Sequence, residues 1–436
     1  MLPVVVIVGR PNVGKSTLFN RLTRTKNAIV DDQPGITRDR MHGIANFDGK
    51  DYLLVDTGGM AEGVDEIDLK VAYQVEQALD EADVIIFLTD CRSGSLSTDL
   101  EIAQRLREAP QTVFVAVNKT EGLEPEIAVS EFHELGLGKP FPISARKGSG
   151  VQHLIKSMAL DWPKADLTKM GDTPRVAIIG RPNVGKSTLV NSLLGDQRMI
   201  VADVPGTTRD SVSIPCVLKG EKFTLVDTAG VRRKSRVKES IERYSEIRTL
   251  QAIAGCNVVI LVLDSYDGIA QQDKAIAGLV IQYGRAIVLA VNKWDKLDSR
   301  LKTQLDRALI REYSFLPVHD SIKISALYGR NLGSLIKATK LAHKSAIKNL
   351  PTGQLNRALA DAVKKHPPQR TSGRLAQLKY AHQGGRNPLI VVIHGNSVSR
   401  LSPSYKKYLA KYFARSFNLI GCPVRIETRA SVNPYN

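Results

Sequence analysis

Short apolar runs rich in valine and isoleucine alternate along the chain with longer stretches in which apolar residues recur every three or four positions. In the first third of the chain these runs lie at residues 4–8, 52–55, 84–89 and 112–117, with a weaker one at Ile29 and Val30. Continuous apolar strands separated by amphipathic helices are typical of a parallel sheet covered on both faces. The pattern predicts an α/β fold with a doubly wound, mostly parallel sheet.

This pattern occurs twice. Residues 9–18 recur unchanged at 180–189, an offset of 171, and the offset becomes 174 after an insertion of three residues just past Gly230. A repeat of this length can bury its own core, so we interpret it as a domain duplication. Residues 161–174 carry prolines near both ends and no apolar periodicity, which predicts a linker. The expected domains are 1–160, 175–349 and 350–436.

The third domain is predicted to be an α+β module. Its patterns predict, in order, a helix at 352–364, strands at 374–380 and 388–393, a helix at 403–417 and a strand at 423–428. The chain of 436 residues has a formal net charge of +17, of which +12 falls within residues 350–436. Such a concentration of positive charge favours a polyanionic partner.

The bulk composition narrows the class of protein. The 43% hydrophobic and 24% charged residues are ordinary for a soluble globular protein, and no apolar run approaches the roughly 20 residues needed to span a bilayer. The four cysteines form no CxxC pair, so we expect neither a zinc site nor a disulfide framework. A cytoplasmic protein that does not bind membranes is the prediction.

Both copies contain a glycine-rich segment that follows the first strand and opens a helix, the context of a phosphate loop. Its backbone N–H groups would face the phosphates, its lysine the β- and γ-phosphates, and its serine hydroxyl Mg²⁺. The loop alone leaves ATPases and small-molecule kinases as alternatives. The loop residues are Gly9, Arg10, Pro11, Asn12, Val13, Gly14, Lys15 and Ser16, and in the second copy Gly180, Arg181, Pro182, Asn183, Val184, Gly185, Lys186 and Ser187.

The identity of the base is predicted from the segment that follows the next apolar run. In the second copy an Asn-Lys pair is followed by a carboxylate that can accept both N–H donors of guanine. The first copy has glutamate there, about one C–C bond longer, so we expect weaker guanine binding. The residues are Asn118, Lys119, Thr120 and Glu121, then Asn292, Lys293, Trp294 and Asp295, with Ser144, Ala145, Ser325 and Ala326 expected to brace the guanine.

Two further elements are predicted to respond to the γ-phosphate. Thr37 and Thr208 lie in Pro-Gly-x-Thr loops and are candidate switch residues that close on Mg²⁺ and act in catalysis with Lys15 and Lys186. A DxxG segment supplies an aspartate for Mg²⁺, but the glutamine that orients water in many GTPases is replaced by an apolar residue. These segments are Asp56, Thr57, Gly58, Gly59 and Met60, and Asp227, Thr228, Ala229, Gly230 and Val231.

With these motifs in place, the whole chain resembles the EngA (Der) family of bacterial tandem-domain GTPases, within the TrmE-Era-EngA-YihA-Septin-like superfamily. The resemblance implies a GTPase acting late in assembly of the large (50S) ribosomal subunit. It also implies a C-terminal KH-like domain packed between the two G domains, rRNA as a partner and a monomer away from the ribosome. A K⁺ ion held by Asn12 or Asn183 is implied too; the alternative is that these asparagines only cap the loop.

Two features of the basic regions leave alternatives open. The helix at 403–417 interleaves lysines with aromatics, which are either stacking platforms for bases or a core face, and the second is favoured. No GxxG clamp occurs in this domain. The basic residues 232–238 would couple the second site to the basic domain or to RNA.

Two alternative functions remain. One is an RNA-binding module in which GTP is structural. The other is a GTPase serving RNA modification, and this one is disfavoured because no cofactor motif is found.

Overall fold

The computed structural model describes residues 2–23, 41–48, 50–56, 82–159, 162, 173–195, 214–218, 220–226, 246–317, 320–368, 370–371 and 374–430. The chain divides into two compact units at residues 2–170 and 171–436. In this described part, no helix is long and apolar enough to cross a membrane.

The first unit is a six-stranded sheet with helices, in the strand order β2-β3-β1-β4-β5-β6. Every strand pair is parallel except β2 with β3. All residues of β1 and β4 are buried because helices cover both faces. Its elements are β1 (Val4–Val8), α1 (Lys15–Thr23), β2 (Met41–Phe47), β3 (Lys50–Asp56), β4 (Val84–Asp90), α2 (Ser97–Arg107), β5 (Thr112–Asn118), α3 (Pro125–Val129), β6 (Phe141–Pro142) and α4 (Val151–Met158).

The second unit begins with a sheet of the same topology, β8-β9-β7-β10-β11-β12. The predicted doubly wound, mostly parallel fold is thus confirmed in both copies. The elements of this copy are β7 (Arg175–Ile179), α5 (Lys186–Gly195), β8 (Ile214–Leu218), β9 (Glu221–Val226), α6 (Glu246–Ala254), β10 (Val258–Asp264), α7 (Gln271–Gln282), β11 (Ala286–Asn292), α8 (Ser299–Glu312), β12 (Ile322–Lys323) and α9 (Leu332–Ala346).

The antiparallel edge strands β2 and β8 are not predicted by the apolar pattern. Each pairs antiparallel with the next strand, and Phe47 pairs with Lys50. Asp48 has a φ of 51°, and the Asp-Gly dipeptide at this place in the sequence is a strong hairpin signal. The weak apolar run at Ile29 and Val30 lies outside the described residues.

The rest of the second unit is an α+β layer in which β15 and β16 are antiparallel and β16 and β17 are parallel. The predicted order of two helices and three main strands is present, with a small additional hairpin. Its elements are α10 (Thr352–Lys365), β13 (Arg370–Thr371), β14 (Arg374–Leu375), β15 (Gln377–Gly385), β16 (Leu389–Asn396), α11 (Pro403–Ser416) and β17 (Val424–Ala430).

A continuous hydrophobic core joins this layer to the second copy of the α/β domain. Polar contacts follow the same junction: the buried Arg285 guanidinium donates to the carbonyl oxygen of Asn387 at 2.8 Å, and Arg425 donates to that of Gln282 at 2.7 Å. The amide of Ile287, in β11, donates to the carbonyl oxygen of Gly421 at 2.7 Å. Residues 171–436 therefore form one unit, and its hydrophobic core combines the second α/β copy with the α+β layer. The predicted domain limits remain predictions.

Candidate nucleotide sites

The glycine loop of the first copy is a tight backbone curl between β1 and α1. Gly14 has a φ of +103°, and a Cβ atom there would lie 2.4 Å from Nδ2 of Asn118. Only glycine fits both the left-handed backbone and the close approach. Asn12 also lies in the left-handed region, at a φ of 66°, which asparagine tolerates better than most residues.

The side chains predicted to contact phosphate and Mg²⁺ meet at this loop. Lys15 is 6% exposed and donates to the carbonyl oxygens of Gly9 at 2.6 Å and Arg10 at 2.9 Å. Burial lowers the pKa of Lys15 to about 8, opposed by the nearby carboxylate of Asp56. The hydroxyl of Ser16 donates to Oδ2 of Asp56 at 2.8 Å. Two oxygens suited to a hard divalent cation thus lie side by side.

The Asn-Lys segment supports the loop from behind. Nδ2 of Asn118 donates to the carbonyl oxygen of Val13 at 2.8 Å, and its Oδ1 accepts from the amide of Ala145 at 2.8 Å. Lys119 donates to the carbonyl oxygen of Asn12 at 3.1 Å and to the carboxylate of Asp90. The predicted guanine-binding residues therefore join the phosphate loop to the segment that follows β6.

The second copy repeats this network. Asn292 bridges the carbonyl oxygen of Val184 and the amide of Ala326, each at 2.9 Å. Lys293 donates to the carbonyl oxygen of Asn183 at 3.0 Å and to the carboxylate of Asp264. In the loop, Lys186 donates to the carbonyl oxygens of Gly180 at 2.9 Å and Arg181 at 2.7 Å.

The two copies differ at the predicted guanine carboxylate. In the first, Glu121 accepts a hydrogen bond from the hydroxyl of Ser144, which holds its pKa below the ordinary value. Its other oxygen lies 3.7 Å from the guanidinium of Arg92. In the second copy Asp295 is exposed, and the hydroxyl of Ser325 has no hydrogen-bond partner among the described residues. The longer glutamate is therefore held by the Ser144 hydroxyl, whereas among the described residues no serine hydroxyl holds the aspartate.

Several predicted site residues lie outside the described residues: Thr37, Thr57, Gly58, Gly59, Met60, Thr208, Asp227, Thr228, Ala229, Gly230 and Val231, together with the basic segment 232–238. Conversely, the sequence motifs predict no role for Asp90 and Asp264, which bind the lysines of the Asn-Lys pairs. Their recurrence at the offset of 174 is the signal that could have found them.

The aromatic residues of α11 belong mainly to the core. Phe413 is 0% exposed, and the hydroxyls of Tyr405 and Tyr408 donate to the carbonyl oxygens of His366 at 2.7 Å and Ala362 at 2.9 Å, at the end of α10. Rings engaged in this way are not free to stack on bases. Basic side chains on the same helix are exposed, namely Lys407, Lys411 and Arg415.

Two such loops, each at the carboxyl end of the first strand of a doubly wound sheet and each backed by an Asn-Lys pair, define a P-loop protein of the GTPase class with two G domains. A family model described as "50S ribosome-binding GTPase" matches residues 4–119 and 175–293. A second, described as "KH-domain-like of EngA bacterial GTPase enzymes, C-terminal", matches residues 349–429.

Full-length relatives agree with these models. "GTPase Der" of Thioalkalivibrio sulfidiphilus is 46% identical over 439 residues, covering 100% of this chain and 95% of that protein. "GTPase Der" of an Azoarcus species is 47% identical over 438 residues, covering 100% and 99%. The chain belongs to the EngA (Der) family and is an enzyme that hydrolyses GTP.

Among solved structures, one of Era in complex with MgGDPNP and part of 16S ribosomal RNA is 28% identical to this chain. It covers 45% of this chain and 69% of that one, with a TM-score of 0.31. A score this low supports no inference about shared function.

Proposed function

We propose that this GTPase is a nucleotide-dependent switch in late assembly of the large (50S) ribosomal subunit, with rRNA as the partner of its basic domain. The observation that carries the proposal is the pair of loop networks, each with its Asn-Lys support, in one chain with a KH-like domain of charge +12. The description of the matching family model, a 50S ribosome-binding GTPase, points to the same subunit. Phosphate contact by exposed lysines would depend on ionic strength.

The chain's own residues would bind and orient GTP. Lys15 and Lys186 would turn from the loop carbonyls to the β- and γ-phosphates, while Glu121 and Asp295 would accept from guanine. Asn118 and Asn292 would hold the guanine-binding segment at a fixed position relative to the phosphate loop. Positioning of this kind is the main protein contribution to phosphoryl transfer.

Ser16 and Asp56 fit a Mg²⁺ ion, since a hydroxyl and a buried carboxylate lie 2.8 Å apart; Ser187 and Asp227 are the matching pair. When bound, Mg²⁺ neutralises charge on the β- and γ-phosphates. We also propose that Asn12 and Asn183 hold K⁺, which would stabilise transition-state charge as an arginine does elsewhere. Both side chains are exposed. Their left-handed backbone supports the alternative, a role in loop shape alone.

The switch is tested by comparing GTP hydrolysis and co-sedimentation with 50S subunits for Lys15→Ala and Lys186→Ala. We expect each variant to lose turnover at its own site and to alter the nucleotide dependence of subunit binding. If each variant loses hydrolysis at its own site yet binds subunits with unchanged nucleotide dependence, GTP is structural and the switch is wrong.

The K⁺ proposal has a separate test. Turnover in KCl should exceed turnover in NaCl at equal ionic strength, and Asn12→Ala and Asn183→Ala should remove that difference while leaving GDP affinity nearly unchanged. Equal turnover in the two salts would show that these asparagines only shape the loop.

A further inference from the structure

The second residue of each phosphate loop is tied to a buried carboxylate on a distant helix. Nε of Arg10 donates to Oδ2 of Asp99 at 3.1 Å. In the second copy Nε of Arg181 lies 3.0 and 2.9 Å from the two oxygens of Asp273. Asp99 and Asp273 are in the first turns of α2 and α7, and both side chains are 0% exposed. We call each pair the loop clamp.

Each clamp carboxylate is also bound to its own helix. Oδ2 of Asp99 accepts from the amide of Leu96 at 3.3 Å, and Oδ2 of Asp273 accepts from the amide of Ala270 at 3.1 Å. A helix N-terminus favours a negative charge. Burial nevertheless raises the pKa of both carboxyls, and the arginines act against that rise. Without its arginine, each carboxylate would be a buried charge lacking a counter-ion.

The two halves of the loop are supported differently. The second half is held by the Asn-Lys pair, whose side chains donate to the carbonyl oxygens of Asn12 and Val13 in the first copy. The second copy has the same pattern. The first half is held by the lysine, whose ammonium faces the carbonyl oxygens of Gly9 and Arg10. An ammonium has three donors, so contacting two phosphates requires it to release at least one of these carbonyls. The lysine then keeps at most one contact to that half, and the clamp supplies the remaining side-chain support.

We propose that Arg10 and Arg181 are positioning residues, which fix the first half of each phosphate loop through the clamp while the lysine contacts the nucleotide. The inference rests on the proposed nucleotide sites and assigns a role to the arginine side chain of each loop. It explains why the same ion pair occurs in both copies although the other arginine contact differs, being the hydroxyl of Ser93 in one and the carbonyl oxygen of Gly268 in the other.

The test uses the full chain carrying Lys15→Ala, so that only the second site reports GDP binding. Arg181→Gln should lower GDP affinity about thirtyfold, as expected for one partner of a buried ion pair. The preference for GDP over inosine diphosphate, which lacks the 2-amino group, should change less than twofold, since the base contacts are intact. The ³¹P resonance of the bound β-phosphate should move towards that of free GDP.

Two variants separate positioning from stability. Arg285→Gln removes another buried arginine of the same domain, which contacts the carbonyl oxygens of Ile253, Ala254 and Asn387; it should lower the unfolding temperature and leave GDP affinity unchanged. If Arg181→Gln does not fold, Arg181→Lys keeps the charge without the paired geometry and should lower GDP affinity about fivefold.

The outcomes are distinct. A folded Arg181 variant with parental GDP affinity, or one whose preference for GDP over inosine diphosphate falls in step with affinity, overturns the positioning role. If the Lys15→Ala parent itself binds no GDP, the proposed second site is wrong, whatever the clamp does.

Discussion

In the first G domain the predicted guanine carboxylate, Glu121, is held by the hydroxyl of Ser144 and faces the guanidinium of Arg92. In the second G domain Asp295 is exposed at the corresponding place, and Tyr266 stands at the position of Arg92. The Asn-Lys networks and the arginine–aspartate pairs of the clamps are present in both copies. Among the described residues, the duplication has therefore kept these supports of the phosphate loop and changed the carboxylate on the base side.

The two G domains also differ in their surroundings. The first closes its own core, and Trp162, from the predicted linker, packs against Tyr52 with ring centroids 5.0 Å apart. The second shares its core with the KH-like layer. A change in the second nucleotide site thus occurs in the same body as the basic domain.

The largest expected effect tests what the copies share. Asn118→Ala or Asn292→Ala removes two buried hydrogen bonds and leaves a loop carbonyl and a backbone amide unpaired. This should cost about 4 kcal/mol of nucleotide binding, or a thousandfold in affinity, at the altered site. Titration with fluorescent GDP, with the other site silenced by its lysine variant, measures it. Markedly unequal losses would mean that the two networks are not equivalent.

The next prediction concerns the shared core. Leu355, in α10, is 0% exposed, and Leu355→Ala should destabilise the second unit by about 3 kcal/mol. The chain has two tryptophans, one in each unit, so Trp162→Phe leaves Trp294 as a fluorescent reporter of the second G domain. The denaturant midpoint seen by Trp294 should fall with Leu355→Ala. Leu18→Ala, at a buried position of the first unit, is the matched control and should leave that midpoint unchanged.

A third prediction uses pH. The pKa of Lys15 is about 8, and bound phosphates raise it because they favour the ammonium. Below pH 8 the lysine is already charged, so the GDP affinity of the first site should not change with pH. Above pH 8 binding must take up a proton, and affinity should fall up to about tenfold per pH unit. Lys15→Arg should abolish this slope, since arginine stays protonated; a slope that persists would place the titration in another group.

The smallest expected effect concerns the base side itself. Glu121→Asp should raise first-site GDP affinity about fivefold, since the shorter carboxylate no longer has to leave Ser144 to reach guanine. The reciprocal variant, Asp295→Glu, should lower second-site affinity by a similar factor. If Glu121→Asp weakens binding, the glutamate is adapted to its pocket and the sequence-based expectation of a weaker first site is wrong.

The sequence predicted what depends on local pattern. Apolar runs located the inner strands, and the spacing of Gly14, Lys15 and Ser16 after a strand predicted the phosphate loop. Asn118 was assigned to the guanine base alone, so its hydrogen bonds to the loop backbone were not predicted. The edge strands were missed because half-exposed strands give only a weak apolar signal. The clamps were missed because Arg10 and Asp99 are 89 residues apart, and no short motif connects them. Whether the aromatic residues of α11 belong to the core could be decided only from their contacts with the end of α10, which the structure shows.

The shared core also bears on how the chain is made. Ribosomes extend chains from the N-terminus at about 5–20 residues per second, and domains fold as they emerge. The described core of the first G domain is complete once Trp162 has been synthesised. The second cannot complete its core until Gly421 reaches Ile287, at the start of β11. At that rate the chain from Ile287 to Gly421 takes about 7–27 s to synthesise, and over that interval the apolar surface of the unfinished second copy is exposed to aggregation.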